Sequence, residues 1–194
     1  MTGTVDAILM ASGASVRFGK DDKLLYSFMG KPLASYTLSL VLSFGGFNSV
    51  IFVFANPQVA SLAEGSGVVM VQNRNPSRGQ CESIRLGVSM ASGDHYAFFP
   101  CDQPLLDDST LRILLANVAQ GGIVVPVFNG RTSSPVIFSK AFREELLSIP
   151  DGESGKWVKG RHPERIIRVT VPNGRALSDV DTPAELKRIE DTDG

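Results

Sequence analysis

Three cationic residues follow a short apolar run near the start of the chain. The run covers residues 7–11, the small residues 12–13 interrupt it, and Arg17, Lys20 and Lys23 come next. A loop of small residues at the end of a strand leaves backbone N–H groups free to bind an anion. An arginine guanidinium binds phosphate oxygens in pairs, and a lysine ammonium neutralises them as a point charge. We predict that this stretch binds the triphosphate of a nucleotide; the alternative is an ordinary strand-to-helix turn with solvated lysines.

The stretch fits neither of two common phosphate-binding motifs. The P-loop requires four residues between its glycines, followed by Lys and a hydroxyl residue. Here five residues separate Gly13 from Gly19, and Lys20 is followed by Asp21. The dinucleotide fingerprint requires the pattern G-x-G-x-x-G, whereas residues 12–15 contain a single glycine. A different type of nucleotide site is therefore indicated.

Carboxylates stand at two later positions where a metal ion can bind. Asp102 comes shortly after the apolar stretch 96–100, and a carboxylate buried there needs a cation or hydrogen bonds. Asp179 and Asp181 alternate along the chain and so share one side of an extended segment. We predict that Asp102 and Asp181 bind a magnesium ion that bridges to nucleotide phosphates. The alternatives are a helix or turn cap for Asp102 and support of the next helix N-terminus for Asp181.

A polar cluster near the middle of the chain contains Gly79, Ser83 and Arg85. Ser83 can bond a ribose, a base or a phosphate. Arg85 can reach an anion, but a solvated helix face explains it equally well. Cys81 and Cys101 are typical of packing residues, because no neighbour in the sequence is suited to activating a thiol.

Composition limits the possible function classes. The chain has 194 residues, 43% hydrophobic and 20% charged, which suits one α/β domain with a sizeable core. Its net charge of −1 provides no global field for nucleic acid or an anionic membrane. We recognise no secretory leader or bilayer-spanning run, so we expect a cytoplasmic protein with free thiols. Two histidines argue against a zinc site or a histidine-based triad.

Apolar runs separated by amphipathic segments predict an α/β fold. Buried strands are predicted at residues 7–11, 49–55, 67–72, 96–100 and 123–128. Helices are predicted at residues 33–44, at 81–90, and after a cap at Asp108 or Ser109. This alternation favours a mostly parallel, doubly wound sheet in a single domain. Such sheets bind ligands at the carboxyl ends of their strands, so the loop after Met10 and Asp102 should lie on one edge.

The pattern is less regular after residue 129. We predict a short strand at 135–138, a helix at 140–147 and a strand at 166–171. A last helix should begin after Thr182, with Pro183 in its first turn and Glu185 completing a capping box. The domain is predicted to cover residues 1–190, followed by a frayed tail at 191–194.

Several segments, taken in order, resemble the motifs of one family. Residues 10–23 read M-A-S-G-x-S-x-R-F-G…K and resemble the L-A-A-G-x-S-x-R-M-G…K signature of the MobA-like nucleotidyltransferases. The match is closest to the molybdenum cofactor cytidylyltransferases. Residues 79–87 resemble their serine-containing segment, residues 102–104 their metal-binding D-x-P, and residues 179–183 their D-I-D-T-P. Residues 152–155 are similar to their G-D-x-G loop, so the resemblance covers nearly the whole chain.

The resemblance implies a Rossmann-like nucleotidyltransferase fold and a specific reaction. A nucleoside monophosphate, CMP from CTP by the closest match, would pass from an NTP to molybdopterin carrying molybdenum, and pyrophosphate would leave. The client would be a molybdenum hydroxylase of the xanthine dehydrogenase kind. Arg17 and Lys23 would hold the triphosphate, and Asp102 and Asp181 would hold Mg²⁺. The implied nucleotide-binding residues are Met10, Ala11, Ser12, Gly13, Arg17, Lys23, Gly79 and Ser83.

Departures from the family pattern leave alternatives open. Ser12 stands where the cytidylyl enzymes carry Ala and the guanylyl enzymes Gly, residues 133–135 (S-S-P) replace G-H-P, and Glu153 replaces Asp. Transfer of AMP or GMP is therefore an alternative, as is a sugar- or polyol-phosphate acceptor on the same fold. A non-catalytic molybdenum cofactor carrier is a further alternative. The charged residues assigned to triphosphate and metal argue against a carrier, which needs neither ligand.

Overall fold

A computed structural model describes residues 3–13 and 22–193 of the chain. Its strands, in chain order, are β1 (Val5–Ala11), β2 (Ser27–Phe28), β3 (Lys31–Pro32), β4 (Ser49–Phe54), β5 (Val69–Gln72), β6 (His95–Pro100), β7 (Ile123–Phe128), β8 (Arg131–Thr132), β9 (Val136–Ser139) and β10 (Ile166–Thr170). The main sheet has the order β10-β7-β9-β6-β1-β4-β5, and β8 pairs with β7. Strands β2 and β3 form a separate two-stranded ribbon.

The main sheet is mostly parallel, as predicted. Strand β1 runs parallel to both β4 and β6, β4 to β5, and β7 to β10. Strand β9 runs antiparallel between β6 and β7. The connection from β7 to β9 contains only the short strand β8 and turns, and a parallel return would need a longer crossover. The protein is therefore a doubly wound α/β domain with one reversed strand.

Five of the seven helices in the described residues lie where the sequence predicts a helix, whereas those at Pro57–Ala60 and Gly155–Arg161 were not predicted. The helices are α1 (Leu33–Phe44), α2 (Pro57–Ala60), α3 (Gln80–Met90), α4 (Asp108–Ala116), α5 (Arg143–Leu147), α6 (Gly155–Arg161) and α7 (Pro183–Asp193). The N-cap of α4 is Asp107, not Asp108 or Ser109, because Asp107 Oδ1 accepts from the backbone N–H of Thr110 at 2.7 Å. Helix α7 continues to Asp193, three residues past the predicted end of the domain at residue 190.

Two other predicted elements differ from the structure. The strand predicted from residue 67 begins at Val69, since Gly67 has φ +79° and strand conformation requires a negative φ. The helix predicted at 140–147 is a 3₁₀ turn at Lys140–Phe142 followed by α5. The remaining predicted strands agree with the observed bounds to within one or two residues.

The sheet is covered on both faces, which explains the continuous apolar runs in its strands. On one face Leu9 of β1 belongs to a cluster with Leu38 of α1 and Leu111 of α4. On the other face Ile8 belongs to a cluster with residues of α3 and α5, including Ile84 and Leu146. Alternate residues of β1 therefore feed two separate cores, as expected for a parallel strand in the centre of a sheet.

A third, smaller cluster fixes the C-terminal segment against the start of α1. It joins Phe28 and Leu33 to Val180, Leu186 and Ile189. Because Val180 is fully buried there, its neighbours in the chain are held beside the carboxyl edge of the sheet. None of the helices in the described residues is long and apolar enough to cross a membrane.

Candidate active site

A charged group lies at the carboxyl edge of the sheet, where three separate segments meet. Lys23 Nζ donates to Asp102 Oδ2 at 2.6 Å, to Asp181 Oδ1 at 3.2 Å and to the Val180 carbonyl at 3.2 Å. Asp102 follows β6, and its own carbonyl accepts from the backbone N–H of Val180 at 2.9 Å. The structure therefore brings together the two aspartates that the sequence assigned to a metal ion.

Local backbone structure aims Lys23 at these carboxylates. Lys23 opens a 3₁₀ turn whose N-cap is Asp22, and the Asp22 carboxylate accepts from the backbone N–H of Leu24 at 3.1 Å. Leu24 is buried in the core next to the turn. With the backbone fixed on either side, the lysine side chain extends toward the edge of the sheet.

One carboxylate oxygen in this group has no partner. Asp102 Oδ2 is paired with Lys23, but within residues 3–13 and 22–193 the buried atom Asp102 Oδ1 accepts no hydrogen bond. Buried polar atoms in native proteins are nearly always satisfied. An unsatisfied anionic oxygen beside a cation therefore indicates a position at which a ligand or metal ion binds.

The charges of the Lys23–Asp102–Asp181 group change the pKa values of Lys23 and of the neighbouring Asp179. Burial alone would lower the pKa of Lys23, but Asp102 and then Asp181 outweigh it and raise that pKa above its ordinary value. Lys23 is therefore a cation at neutral pH. Desolvation and the charge of Asp102 raise the pKa of Asp179 to about 6, although part of the Asp179 surface stays accessible.

A neutral hydrogen-bonded group lies across the same region. The hydroxyl groups of Ser12 and Ser83 are in direct contact, and Asn73 Nδ2 donates to Ser12 Oγ at 3.3 Å and to Ser83 Oγ at 3.2 Å. Asn73 Oδ1 accepts from the backbone N–H of Asn75 at 2.9 Å. All three side chains of the group are buried, so they form a fixed wall that connects the ends of β1 and β5 to α3.

A cavity of about 270 Å³ separates the charged group from the neutral group. It is lined by Met10, Ser12, Gly13, Lys23, Leu24, Pro76, Gly79, Gln80, Ser83, Pro100, Cys101 and Asp102. Gly79 has φ +91°, and a Cβ there would lie 3.5 Å from the backbone of Gly152. Glycine at this position therefore follows from backbone conformation.

The structure places the other predicted residues differently. Ala11 is buried in β1 and does not line the cavity. Asp181 contacts Lys23 at the edge of the cavity. Arg85 Nη2 is hydrogen-bonded to the Asp151 carboxylate and to Cys81 Sγ. Arg85 does not line the cavity, and its side chain is less solvated than the helix-face interpretation predicted. Arg17 lies outside the described residues.

Two polar residues at the site were not found from the sequence. Asn73 follows the end of β5. A polar residue directly after an apolar strand was the signal that could have identified it as a site residue. Gln103 is fully buried, and its Nε2 donates to Asp179 Oδ1 at 2.8 Å and to the carbonyls of Ser134 and Leu177 at 3.3 Å each. Gln103 therefore ties the segment after β6 to the segment that carries Asp181.

A second cavity, of about 230 Å³, adjoins the first. The two share Met10, Gln80 and Pro100 as lining residues. The chain can therefore hold two ligands side by side at the carboxyl edge of the sheet.

Comparison with known proteins identifies the family. The model of the MobA-like NTP transferase domain matches residues 7–166, which is most of the chain. The chain belongs to this family. A MobA-like NTP transferase is a nucleotidyltransferase, so the two adjoining cavities have a direct explanation in a reaction with two substrates.

Relatives and solved structures agree with this assignment. A molybdenum cofactor guanylyltransferase of Shewanella baltica is 23% identical over 195 residues, which cover 97% of each chain. Among solved structures, a nucleotidyl transferase from Methanothermobacter has a TM-score of 0.85 at 21% identity, with 97% of each chain covered. Rv0371c from Mycobacterium tuberculosis, in complex with manganese, has a TM-score of 0.74 at 23% identity, covering 97% of this chain and 99% of that one. At these identities the structures establish the fold of this MobA-like chain.

Proposed function

We propose that this protein transfers a nucleoside monophosphate from an NTP to the phosphate of a molybdopterin-type molybdenum cofactor and releases pyrophosphate. The observation that carries the proposal is the Lys23–Asp102–Asp181 group, with its unpaired Asp102 oxygen, at the wall of a cavity that has a second cavity beside it. The curated guanylyltransferase relative supports the choice of acceptor.

The reaction needs no protein nucleophile. An oxygen of the acceptor phosphate attacks the α-phosphorus of the NTP and forms a new P–O–P bond. The bond between the α-phosphorus and the α,β-bridging oxygen breaks, and pyrophosphate leaves with that electron pair. The protein must align the two phosphates and neutralise the charge that develops on their oxygens. The ammonium of Lys23 is suited to neutralising this charge.

The residues at the site fit a divalent cation. Asp102 Oδ1 is an acidic oxygen without a hydrogen-bond donor among the described residues, and Asp181 supplies a second carboxylate nearby. Hard oxygen ligands of this kind suit Mg²⁺ or Mn²⁺. Bound there, such a cation would neutralise the triphosphate and polarise its phosphorus–oxygen bonds. Lys23 would then release the carboxylates and turn to the phosphate oxygens.

We propose CTP as the nucleotide, on the basis of the motif resemblance. The side chain of Ser12, at the position where the guanylyl enzymes carry glycine, is buried and hydrogen-bonded to Asn73. The competing candidate is GTP, because similar proteins of Shewanella species are molybdenum cofactor guanylyltransferases.

Pyrophosphate release tests the proposal. Wild-type protein is incubated with a divalent cation, molybdenum-loaded molybdopterin and each of the four NTPs in turn, with Asp102→Ala as the control. Release with CTP alone, lost in the variant, supports the complete proposal, whereas release with GTP alone corrects the base and retains the chemistry. A folded protein that releases no pyrophosphate with any NTP would contradict the proposal, and the tests would then move to sugar phosphates and to cofactor carriage.

A further inference from the structure

The second cavity combines a cationic rim with an apolar floor. Its floor is formed by Ile84, Phe98, Val136 and Phe138, and its rim carries the amines of Lys156 and Lys159. The lysines stand three positions apart on α6, so they project from neighbouring points of one helix face. Such a cavity suits a flat ring that carries an anionic group.

The two lysines have no carboxylate partner among the described residues of the chain. Within residues 3–13 and 22–193, neither takes part in an ion pair or a side-chain hydrogen bond. Burial, and then the neighbouring charge of Lys156, lower the pKa of Lys159. An anionic ligand between the ammonium groups would relieve their repulsion.

The position of α6 places these amines next to the nucleotide cavity. The loop before α6 is tied to the start of α3, because the backbone N–H of Gly152 donates to Arg78 O at 2.8 Å and that of Cys81 to Glu153 O at 3.2 Å. Gln80, at the start of α3, lines both cavities. The cavity lined by the two lysines therefore adjoins the first cavity.

We propose that Lys156 and Lys159 bind the phosphate of the acceptor substrate, a phosphate ester carried on a flat ring, and so present its oxygen to the nucleotide. The inference rests on the proposed function for the reaction that this phosphate undergoes. The anion-binding role of the two lysines stands on the cavity alone.

Trp157 provides a fluorescent probe next to this cavity. It is the only tryptophan of the chain and lies between the two lysines on α6. With the first cavity filled by the α,β-methylene analogue of whichever NTP binds, titration with inorganic phosphate should change Trp157 emission in the wild type. Lys159→Met should weaken phosphate binding by about tenfold or more, and Lys156→Met together with Lys159→Met should abolish it, because an ammonium–phosphate contact is a charge-assisted bond.

Two matched variants test whether charge at this place matters. Lys159→Arg keeps the cation and should restore most of the affinity. Lys187→Met removes the same charge from an exposed position of α7 and should leave phosphate binding within about twofold of the wild type, since long-range surface charge is screened. Unchanged phosphate affinity in the double variant would overturn the inference.

A steady-state assay separates this inference from the proposed function. With molybdopterin as acceptor, Lys159→Met should raise the acceptor KM while the nucleotide KM stays constant. If molybdopterin supports no turnover but phosphate binding still depends on both lysines, the assigned acceptor fails and the anion site stands. Turnover of molybdopterin with an unchanged acceptor KM in the double variant would reject the lysine site and leave the proposed function intact.

Discussion

Two aspartates at opposite ends of the same pair of strands have different surroundings. Asp6, near the amino end of β1, is fully buried and accepts from Asn48 Nδ2 at 2.8 Å and from the backbone N–H groups of Ser92 at 2.7 Å and Gly93 at 2.6 Å. Asp102 lies beyond the carboxyl end of β6. Its Oδ2 accepts from Lys23, and its Oδ1 accepts no hydrogen bond from the described residues. Both are acids at the edge of a buried sheet, but among the described residues only Asp6 accepts hydrogen bonds on both of its oxygens.

The difference separates a structural role from a binding role. The hydrogen bonds to Asp6 connect β1 to the loop between α3 and β6 and to Asn48 before β4. The Asp6 carboxylate therefore stabilises the arrangement of these segments. The hydrogen-bonding capacity of Asp102 is left partly unused beside a cavity. Saturation of a buried carboxylate therefore predicts which acid stabilises the fold and which binds a ligand.

Replacing Asp102 should have the largest effect on activity. Asp102→Ala removes the carboxylate proposed to bind the cation, and loss of such an electrostatic group costs about 10²–10³-fold in turnover. Pyrophosphate release under saturating substrates measures the loss, and the near-ultraviolet circular dichroism spectrum should stay that of the wild type. A variant with more than half of wild-type turnover would remove the distinction drawn between Asp102 and Asp6.

Replacing Asp6 should have the largest effect on stability. Asp6→Ala leaves the buried backbone N–H of Gly93 and the part-buried backbone N–H of Ser92 without this acceptor and removes one of the two acceptors of the Asn48 amide. We expect a loss of about 2–4 kcal/mol in the free energy of unfolding. Urea denaturation of the variant and the wild type measures this loss. Turnover per folded molecule, assayed well below the unfolding midpoint, should stay close to that of the wild type. Equal stability of Asp6→Ala and the wild type would show that saturation does not mark a structural acid.

How much of this contrast could be read from the sequence depends on the range of the interactions. The apolar runs of β1, β4 and β7 were enough to predict the sheet, and the rule for strand ends predicted that the loop after Met10 and Asp102 lie on one edge. Asp181 was joined to Asp102 only through the predicted metal site. The direct ion pair between Lys23 and Asp102 was not predicted, since the sequence assigned Lys23 to phosphate and Asp102 to metal. Lys23 and Asp102 are 79 positions apart in the sequence. Tertiary packing brings them together, and no local sequence pattern indicates that they form an ion pair.

Residues without formal charge were the hardest to assign. Asn73 and Gln103 act through hydrogen bonds to segments distant in the sequence, and only the register of the folded chain brings those segments together. The cap of α4 was misplaced by one or two positions, because Asp107, Asp108 and Ser109 are all good N-cap residues. The reversed direction of β9 follows from its connection length, a signal that was present in the sequence but was not used.

A smaller effect is expected from the neutral side of the nucleotide cavity. Ser83→Ala removes one member of the group formed with Ser12 and Asn73 and should raise the nucleotide KM about fivefold, the equivalent of one neutral hydrogen bond of about 1 kcal/mol. Turnover should hardly change. Ser89→Ala, which removes an exposed hydroxyl of the same helix that donates to the Leu86 carbonyl, is the matched control. A fall in turnover as large as that expected for Asp102→Ala would show that Ser83 acts in the chemical step and would contradict a role in binding alone.

The smallest effect concerns an exposed acid near Asp6. The hydrogen bond from Lys140, and then that from the backbone of Thr4, lower the pKa of Asp94 to about 2. A carboxyl group with a depressed pKa in the folded state stabilises the protein above its unfolded value of about 3.8 and loses this contribution as the pH falls through about 2. Asp94→Asn should therefore melt slightly below the wild type at pH 6, and the difference should shrink as the pH falls from 4 to 2. A difference in melting temperature that is constant from pH 6 to pH 2 would contradict this origin.

Binding of manganese tests the central claim most directly, namely that Asp102 is left unsaturated for a cation-bound nucleotide. Electron paramagnetic resonance of Mn²⁺ titrated into wild-type protein with CTP or GTP should show a tight site that depends on the nucleotide. Asp102→Asn, which keeps the shape of the side chain and removes its charge, should weaken this site by about tenfold or more, whereas Ser89→Ala should leave it unchanged. Equal Mn²⁺ affinity in Asp102→Asn and the wild type would contradict the account.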